Sequence, residues 1–596
     1  MTHVSYIRAA GLLLALCVAS AVVAQDAAGA SDAIRVNLVG YLPDAPKVAV
    51  VCALAPRPVT SFDVVDTTGR VVLAARPATP SGAFGPCVET YRLDFSALRT
   101  PGTYRVRAGA LSSPEIRIGS QVWAGLADMP LRYMRQQRSA FNPVYNVSVH
   151  TKDGIVVDHP TRAGEYVPAS GGWADASDYL QYVTTSATAT YQLLQAWRDN
   201  PRAFGDHYQA DGRPGANGVP DVLDEARHGL AWLQKMFPDD SLMLNQLGDD
   251  RDHMFFDLPP NDSADYGWGK GGARPLYPCT GIPQGLLRYQ NRATGYASTA
   301  GKFAAAFALG AQLLRSRHPA LADTLARKAR AAFALGEKYP GACQTAPARG
   351  PYFYEEDDWA DDMELGAAAL FALTGDLRYQ RRAMAYAVQA KVKPWMGADT
   401  ASHYQWYPFH NIGHFEASRR TPPAARAQLA GYYRDGMAAV AARAHNGFNV
   451  GIPFIWCSND LMTSLAVQGM LYRRMTGDGR FRVLEQSAID WLFGTNPWGI
   501  SMVIGVPAGG GFARDPHSVI AHKLNYQLDG ALLDGPVYKS IYKNLLGISL
   551  TKPDSFAKWN TGFIVYHDDW GDYSTNEPIM DGSVNVLYLM SWLGQR

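Results

Sequence analysis

Charge of one sign is missing from this sequence. Its 55 Lys and Arg nearly cancel 54 Asp and Glu, leaving a formal net charge of +1. Binding to nucleic acid rests on clustered cations that displace counterions from phosphate, and an anionic membrane surface asks for the same. Neither partner is provided for, so no nucleic acid and no membrane is expected. Long hydrophobic runs are scarce as well: outside residues 9–23 no stretch is apolar and long enough to span a bilayer. Cysteine is thin, at six in 596 residues, with no C-x-x-C pair. A cysteine-rich zinc site therefore has no ligands, and zinc is not expected.

What is present begins with an address. Arg8 precedes an apolar stretch, and Val22-Val23-Ala24 supplies compact residues for a cleavage site. Residues 1–24 read as a signal peptide, which predicts a secreted or periplasmic protein. The apolar run is short for a membrane anchor. Its removal takes away Cys17 and leaves Cys52, Cys87, Cys279, Cys343 and Cys457. An odd number leaves at least one thiol free. Cys52 and Cys87 could bridge, a pairing that sequence leaves open.

Two kinds of chain follow. Between residues 32 and 118, short β-branched runs such as Lys47–Cys52, Ser61–Val65 and Gly102–Val106 alternate with turn residues, which predicts a small β-sandwich of immunoglobulin-like size. From residue 119 to 596 the apolar period becomes that of helices. Helices are expected near Trp123–Gln137, Tyr179–Trp197, Asp221–Met236, Thr299–Arg315, Ala320–Lys338, Asp361–Leu373, Leu377–Ala390, Ala424–Arg443, Asp460–Met475 and Arg480–Phe493. The hinges Thr374-Gly375-Asp376 and Thr476-Gly477-Asp478 pair a helix-ending Gly with a capping Asp. Helical hairpins with long decorated loops predict an all-α (α/α)6 barrel, so the chain is expected to be multidomain.

Two segments could carry acid–base chemistry. In Gly171-Gly172-Trp173-Ala174-Asp175-Ala176-Ser177-Asp178-Tyr179 two carboxylates stand three apart at the expected mouth of a helix. Such a pair could hold one water, and their repulsion raises one pKa. The same spacing also fits plain helix capping. The second segment runs from Tyr566-His567-Asp568 through Tyr573 to Glu577, where an aromatic setting could keep a carboxyl protonated. A capping Glu in a solvated acidic loop fits equally.

Together these segments resemble glycoside hydrolase family 9. Asp175-Ala176-Ser177-Asp178 is similar to that family's Asp-Ala-Gly-Asp motif, and Tyr566-x-Asp568-(x4)-Tyr573-(x3)-Glu577 to its C-terminal signature. Asn496-Pro497 with Ser501, Gly505 and Pro516-His517 resembles its histidine-containing signature. Arg35 to Pro43 resembles the start of the immunoglobulin-like domain many members carry. The resemblance implies an inverting endo-β-1,4-glucanase acting on cellulose-like or related β-glucan. Asp178 would be the base, Asp175 would help hold the water, Glu577 would be the acid and His517 would contact sugar. In an inverting enzyme the two carboxyl groups stand roughly 6.5–9.5 Å apart.

Departures from the family pattern are Val519 in place of an Arg, Gly582 in place of a Tyr, and Ile579 and Ser583 beside it. Arg514 or His522 could compensate. These changes keep an exo-acting β-glycosidase on oligosaccharides, mixed-linkage glucan or xyloglucan fragments in view, and behind it a non-catalytic glycan-binding protein. Trp173, Tyr573, Trp456 and Trp498 are expected to stack on sugar, as could Trp268, Trp406 and Tyr407; the chain has 14 Trp in all. No organic cofactor is expected. Arg138-Ser139 and Val149-His150 stand where relatives place zinc-binding Cys and His. The resemblance also implies calcium near Asp358, Asp361, Asp362 and Glu364, although Met363 sits where an acidic ligand is usual; hard oxygen ligands suit that ion. A monomer is expected.

Overall fold

The structure is a computed structural model that describes residues 32–252, 257–286, 288–350, 354, 356–391 and 412–595. The signal segment 1–24, Trp406 and Tyr407 lie outside the described residues.

Nine strands come first: β1 (Asp32–Arg35), β2 (Val48–Ala53), β3 (Ser61–Asp66), β4 (Val71–Pro77), β5 (Thr79–Pro80), β6 (Glu89–Asp94), β7 (Gly102–Ala108), β8 (Leu111–Ser112) and β9 (Ile116–Ile118). They form two antiparallel sheets. One is ordered β1-β2-β6-β5; the other is β4-β3-β7-β8, with β9 also on β7. In β7 the period of two is plain: Tyr104, Val106 and Ala108 are buried while Arg105 and Arg107 face solvent. Ile34, Val51, Phe62, Leu93 and Ile116 fill the space between the sheets.

Strand β2 is apolar on both faces for a reason. Ala49 and Val51 belong to the sandwich core, whereas Val50 and Cys52 belong to the core of the helical part. The Cys52–Cys87 disulfide lies on that second face. The segment after β1 docks too. Leu38 N–H donates to Phe493 O at 2.8 Å, and Asn37 Nδ2 donates to Asp490 Oδ1 at 2.9 Å. The Arg35 guanidinium lies 4.4 Å from the centre of the Trp559 ring.

Among the described residues twelve helices of seven residues or more carry the rest: α1 (Met129–Gln137), α2 (Val183–Asp199), α3 (Asp221–Met236), α4 (Ala297–Leu314), α5 (Pro319–Lys338), α6 (Ala360–Thr374), α7 (Leu377–Ala390), α8 (Ile412–Ser418), α9 (Pro423–Arg443), α10 (Ser458–Thr476), α11 (Arg482–Leu492) and α12 (Met580–Gly594). Successive even-numbered helices pack on one another: α2 on α4, α4 on α6, α6 on α8, α8 on α10, α10 on α12, and α12 back on α2. The odd-numbered helices pack outside them: α3 on α2, α5 on α4, α7 on α6, α9 on α8 and α10, α11 on α10, and α1 on α12. The inner set is buried nearly all round, which explains why α4 and α12 read as uniformly apolar. Gly375 (φ 71°) and Gly477 (φ 74°) end α6 and α10 in the left-handed region, as both hinges foretell; Asp376 caps α7, whereas Asp478 accepts Arg480 N–H in the turn ahead of α11, which begins after Phe481.

Two expected helices start late. The first turns of Trp123–Gln137 are a 3-10 turn at Leu126–Asp128. The helix expected from Tyr179 begins at Val183 instead, because Gln181–Tyr182 form a strand paired antiparallel with Leu247 and Gln246. That strand closes a small sheet with Ile155–Val156, Pro275–Pro278 and Leu244–Leu247. Tertiary pairing of its backbone overrides the helical period. A second disulfide joins Cys279 and Cys343, and Cys457 is a buried thiol outside both bridges. Closing loops of 35 and 64 residues, the two bridges each contribute about 4 kcal/mol in the chain-entropy model. Among the described residues no helix is long and apolar enough to cross a membrane.

Candidate active site

The 171–180 segment is a loop rather than a helix mouth, because the strand at Gln181–Tyr182 separates it from α2. Asp175 therefore caps nothing, and the capping reading falls. The loop is held from three sides. Ala174 N–H donates to Gln137 O at 2.8 Å, and Asp175 N–H donates to Leu180 O at 2.9 Å. Gln137 Nε2 reaches Ala174 O at 3.1 Å and Ala176 O at 2.5 Å. Met580 N–H, at the start of α12, donates to Asp175 O at 3.0 Å. That last bond ties the loop to the end of the Glu577 segment.

The two aspartates end up in different settings. Asp175 is buried; Thr185 Oγ1 donates to its Oδ1 at 2.6 Å and the Tyr354 hydroxyl donates to its Oδ2. Burial, then the nearby Asp581 and Asp178, push its carboxyl well above the usual range. Asp178 is half-exposed, accepts Leu180 N–H at 3.1 Å, and lines a depression with Ser139, His150, Tyr179 and Ser518.

Glu577 stands across from them. Ser177 donates to its Oε1 twice, from its N–H at 3.1 Å and from its hydroxyl. Loss of water around the carboxyl raises its pKa; His517 opposes the rise and Asp178 adds to it. The segment is anchored on both sides: Asp534 N–H donates to Glu577 O at 2.8 Å, and His517 N–H donates to Asn576 O at 3.0 Å. The other acids of this segment do local work. Asp568 accepts the N–H groups of Arg514 and Asp515, Asp569 those of Thr551 and Lys552, and Asp572 the hydroxyls of Ser574 and Thr575. The solvated acidic loop is therefore a folded turn that aims Glu577.

Aromatic rings gather on the same side. His517 stacks on Trp570 at 4.9 Å between centroids, and His522 stacks on that ring at 4.3 Å. Tyr573 lies 6.2 Å from His517 and 6.3 Å from Trp456. Tyr573 and Trp456 thus sit at the site. Two expected platforms do not. Trp173 is fully buried and its indole N–H donates to Glu225 Oε1 at 2.7 Å. Trp498 is 3% exposed, donates to Asn560 Oδ1 at 2.9 Å and packs on Trp491. Both are core, because each indole N–H found a side-chain acceptor within the fold. Of the suggested substitutes for the family Arg, His522 joins the Trp570 stack, whereas the Arg514 guanidinium lies over Phe512 at 3.9 Å. A Cβ at Gly582 would come within 2.4 Å of the Ile579 side chain and 3.2 Å of that of Leu532, so a larger residue there requires Ile579 to move.

The calcium set is not brought together. Lys302 supplies the cation instead, its ammonium bonded to Glu356 and, at 2.7 Å, to Asp362. Glu364 pairs with His414 at 2.8 Å, Asp358 accepts the N–H groups of Trp359 and Ala360, and Met363 is fully buried. Among the described residues no three His, Cys, Asp or Glu side chains are grouped to hold a metal ion. These residues therefore do not fit calcium. Near Arg138-Ser139 the polar contacts are Arg138 with Glu225, and His150 with Asp262 at 3.0 Å.

Sequence reading passed over several residues here. Ser177 carried a signal, a hydroxyl where the resembled motif has Gly. Thr185 and Tyr354 carried none, since the fold alone brings them to Asp175. Asp460, Asp534 and Asp581 form a buried acidic backing, with Cys457 Sγ donating to Asp534 Oδ1 at 3.2 Å; Asp581, in the first turn of α12, looks like an ordinary helix-start acid.

Comparison with known proteins gives the same picture. The family model for glycosyl hydrolase family 9 matches residues 123–590, and that for a cellulase N-terminal ig-like domain matches residues 29–113. Endoglucanase C of Cellulomonas fimi is 28% identical over 94% of this chain; the alignment spans 52% of that protein, so the chain covers about half its length. A xyloglucan-specific endo-β-1,4-glucanase of Bacteroides ovatus is 27% identical, over 90% of this chain and 91% of its own. Among solved structures, a metagenome-derived glycoside hydrolase family 9 endoglucanase superposes with a TM-score of 0.73 at 26% identity, covering 95% of this chain and 99% of that one.

Proposed function

The chain belongs to glycosyl hydrolase family 9, with a cellulase-type ig-like domain ahead of the catalytic one, and on that premise we propose an exported, monomeric, inverting endo-β-1,4-glucanase. Its substrate is cellulose-like or related β-glucan. The closed succession of even-numbered helices, with the odd-numbered ones outside, supports an (α/α)6 barrel as its catalytic scaffold.

The observation that carries this reading is the contact between Ser177 and Glu577, which joins two motifs 400 residues apart. It sets the half-exposed Asp178 beside a carboxyl whose pKa is raised by lost hydration. Glu577 enters the reaction protonated and gives its proton to the glycosidic oxygen. Asp178 takes a proton from the water that attacks the opposite face of the anomeric carbon. Asp175, fixed by Thr185 and Tyr354, helps hold that water. Trp456, Tyr573 and the His517–Trp570 stack offer faces and polar edges to the flanking sugars. Acid, base and water complete the step, so no organic cofactor is required.

Product analysis on soluble β-glucans, xyloglucan and cello-oligosaccharides tests the reading, with Glu577→Gln as control and the product anomer read by NMR. Mixed oligosaccharides of inverted configuration are expected early, with activity in the control lower by about 10³-fold or more. Release of single sugars or disaccharides from chain ends would replace endo with exo action. Cleavage of xyloglucan alone would narrow the substrate. No cleavage of any glucan would leave a binding protein.

A further inference from the structure

A carboxylic acid has two equivalent oxygens, and a general acid works only if its proton sits on the one that faces the leaving group. Nothing in the acid itself makes that choice. In this chain Ser177 touches one of the two. Its backbone N–H reaches Glu577 Oε1 at 3.1 Å, and its hydroxyl donates to the same oxygen. An oxygen that already accepts two donors is a poor seat for a proton, because a third hydrogen would meet two others. The resembled motif has Gly at this place, which supplies the N–H alone. The hydroxyl is this chain's addition, and the backbone just before it is pinned: Gln137 donates to Ala176 O, and Met580 N–H donates to Asp175 O.

We propose that Ser177 is a positioning residue that loads Oε1 of Glu577 with two hydrogen bonds, so that the acid's proton resides on Oε2 and passes from there to the glycosidic oxygen. The proposal rests on the assignment of Glu577 as the acid. The step balances. The Oε2 proton goes to the leaving oxygen as its bond to the anomeric carbon breaks, water forms the new C–O bond, and the proton lost by water goes to Asp178. Solvent then returns a proton to Glu577 and removes one from Asp178. Because a hydrogen bond to the ionised carboxylate favours that form, the Ser177 hydroxyl also trims the pKa rise that lost hydration imposes. The other titratable groups that act on this carboxyl or feel its charge are His517, Asp178, Asp534 and Tyr133.

The test compares two leaving groups in the full-length enzyme. Cello-oligosaccharides need the proton; a dinitrophenyl β-cellobioside departs with little need of it. Ser177→Ala removes the hydroxyl and keeps the N–H, and Ser177→Thr keeps both. Ser177→Ala is expected to lower kcat on the oligosaccharide by about tenfold and on the aryl glycoside by about twofold or less. The alkaline limb of its kcat profile should move up by about half a unit, since the carboxylate has lost a donor. Ser177→Thr should restore both. Equal losses on the two substrates, or an unmoved alkaline limb, would overturn the proposal and reduce Ser177 to loop structure. Unchanged kcat on the oligosaccharide would do the same. If Glu577→Gln keeps full activity on oligosaccharides, the acid itself is misassigned; that shows in the control alone, and the proposal falls with it.

Discussion

Two acidic regions of this molecule look alike as sequence and, although burial raises carboxyl pKa values in both, find different partners in the structure. One is the cleft, with Asp175, Asp178 and Glu577; the other is the start of α6, with Asp358, Asp361, Asp362 and Glu364. At α6 Asp362 and Glu364 meet basic side chains, while Asp358 accepts backbone N–H groups. Lys302 binds Asp362 and Glu356, and the carboxylates outweigh its burial and raise its pKa, so it stays charged. His414 serves Glu364. In the cleft, Asp175 is bonded by the hydroxyls of Thr185 and Tyr354, and Glu577 by the amide and hydroxyl of Ser177. Neutral donors orient a carboxyl without forcing it to ionise. An acid meant to carry a proton needs such partners; an acid meant to hold a helix in place is better served by a cation.

The hardest test of this contrast lies within the cleft. Asp178→Asn removes the proposed base from its half-exposed position, and kcat should fall by about 10²–10⁴-fold. Asp175→Asn keeps a side chain that Thr185 and Tyr354 can still bond in part, and should cost about 10–10²-fold. Steady-state rates on one soluble glucan settle the order. A larger loss at Asp175 would exchange the two roles.

At α6 the opposite signature is expected. Lys302→Met leaves Glu356 and Asp362 buried without their cation, and breaking a buried ion pair costs about 3–5 kcal/mol. Thermal unfolding should come at a clearly lower temperature, while kcat at 25 °C changes by less than about threefold. A collapse of kcat in protein that stays folded would mean that the α6 acids serve the chemistry, by way of the Glu356–Thr184 bond beside Thr185.

How much of this was legible depended on whether the signal was local. The hinges at Gly375 and Gly477 were, since a left-handed Gly ends each helix and the Asp after it accepts the N–H two residues on, as a helix cap at Asp376 and within the turn at Asp478. So was the family, once three separated motifs were read together. The helix expected from Tyr179 was not, because a strand partner 66 residues away at Leu247 claims Gln181. Trp173 and Trp498 read as platforms for a similar reason. A Trp in a loop looks available until the fold supplies Glu225 or Asn560 to its N–H. The α6 acids looked like a calcium site because sequence displays Asp361-Asp362 together but hides Lys302, a helix and a half earlier.

Asp490 separates lost hydration from function, because it has the partners of a cleft acid and no part in the cleft. It sits in α11 against the sandwich, where Asn37 and Gln486 donate to Oδ1 at 2.9 and 2.8 Å. Burial pushes its carboxyl up to about 7. In the unfolded chain it titrates near 4, as free Asp does. Between those values the folded protein holds a proton that the unfolded chain has released. The contribution of Asp490 to stability is therefore full below about pH 4 and is lost as pH rises to about 7. Asp490→Asn keeps the acceptor oxygen and abolishes the titration. It should flatten the fall of stability over that range and stabilise the protein at pH 8, by an amount on the order of 1–3 kcal/mol once the new amide hydrogens find partners. Denaturant unfolding at pH 4, 6 and 8 measures it. A variant that parallels the parent at all three would mean that Asp490 ionises normally in the fold. Neutral partners alone would then not keep a buried acid protonated, and the raised pKa of Glu577 would have to come from Asp178 instead.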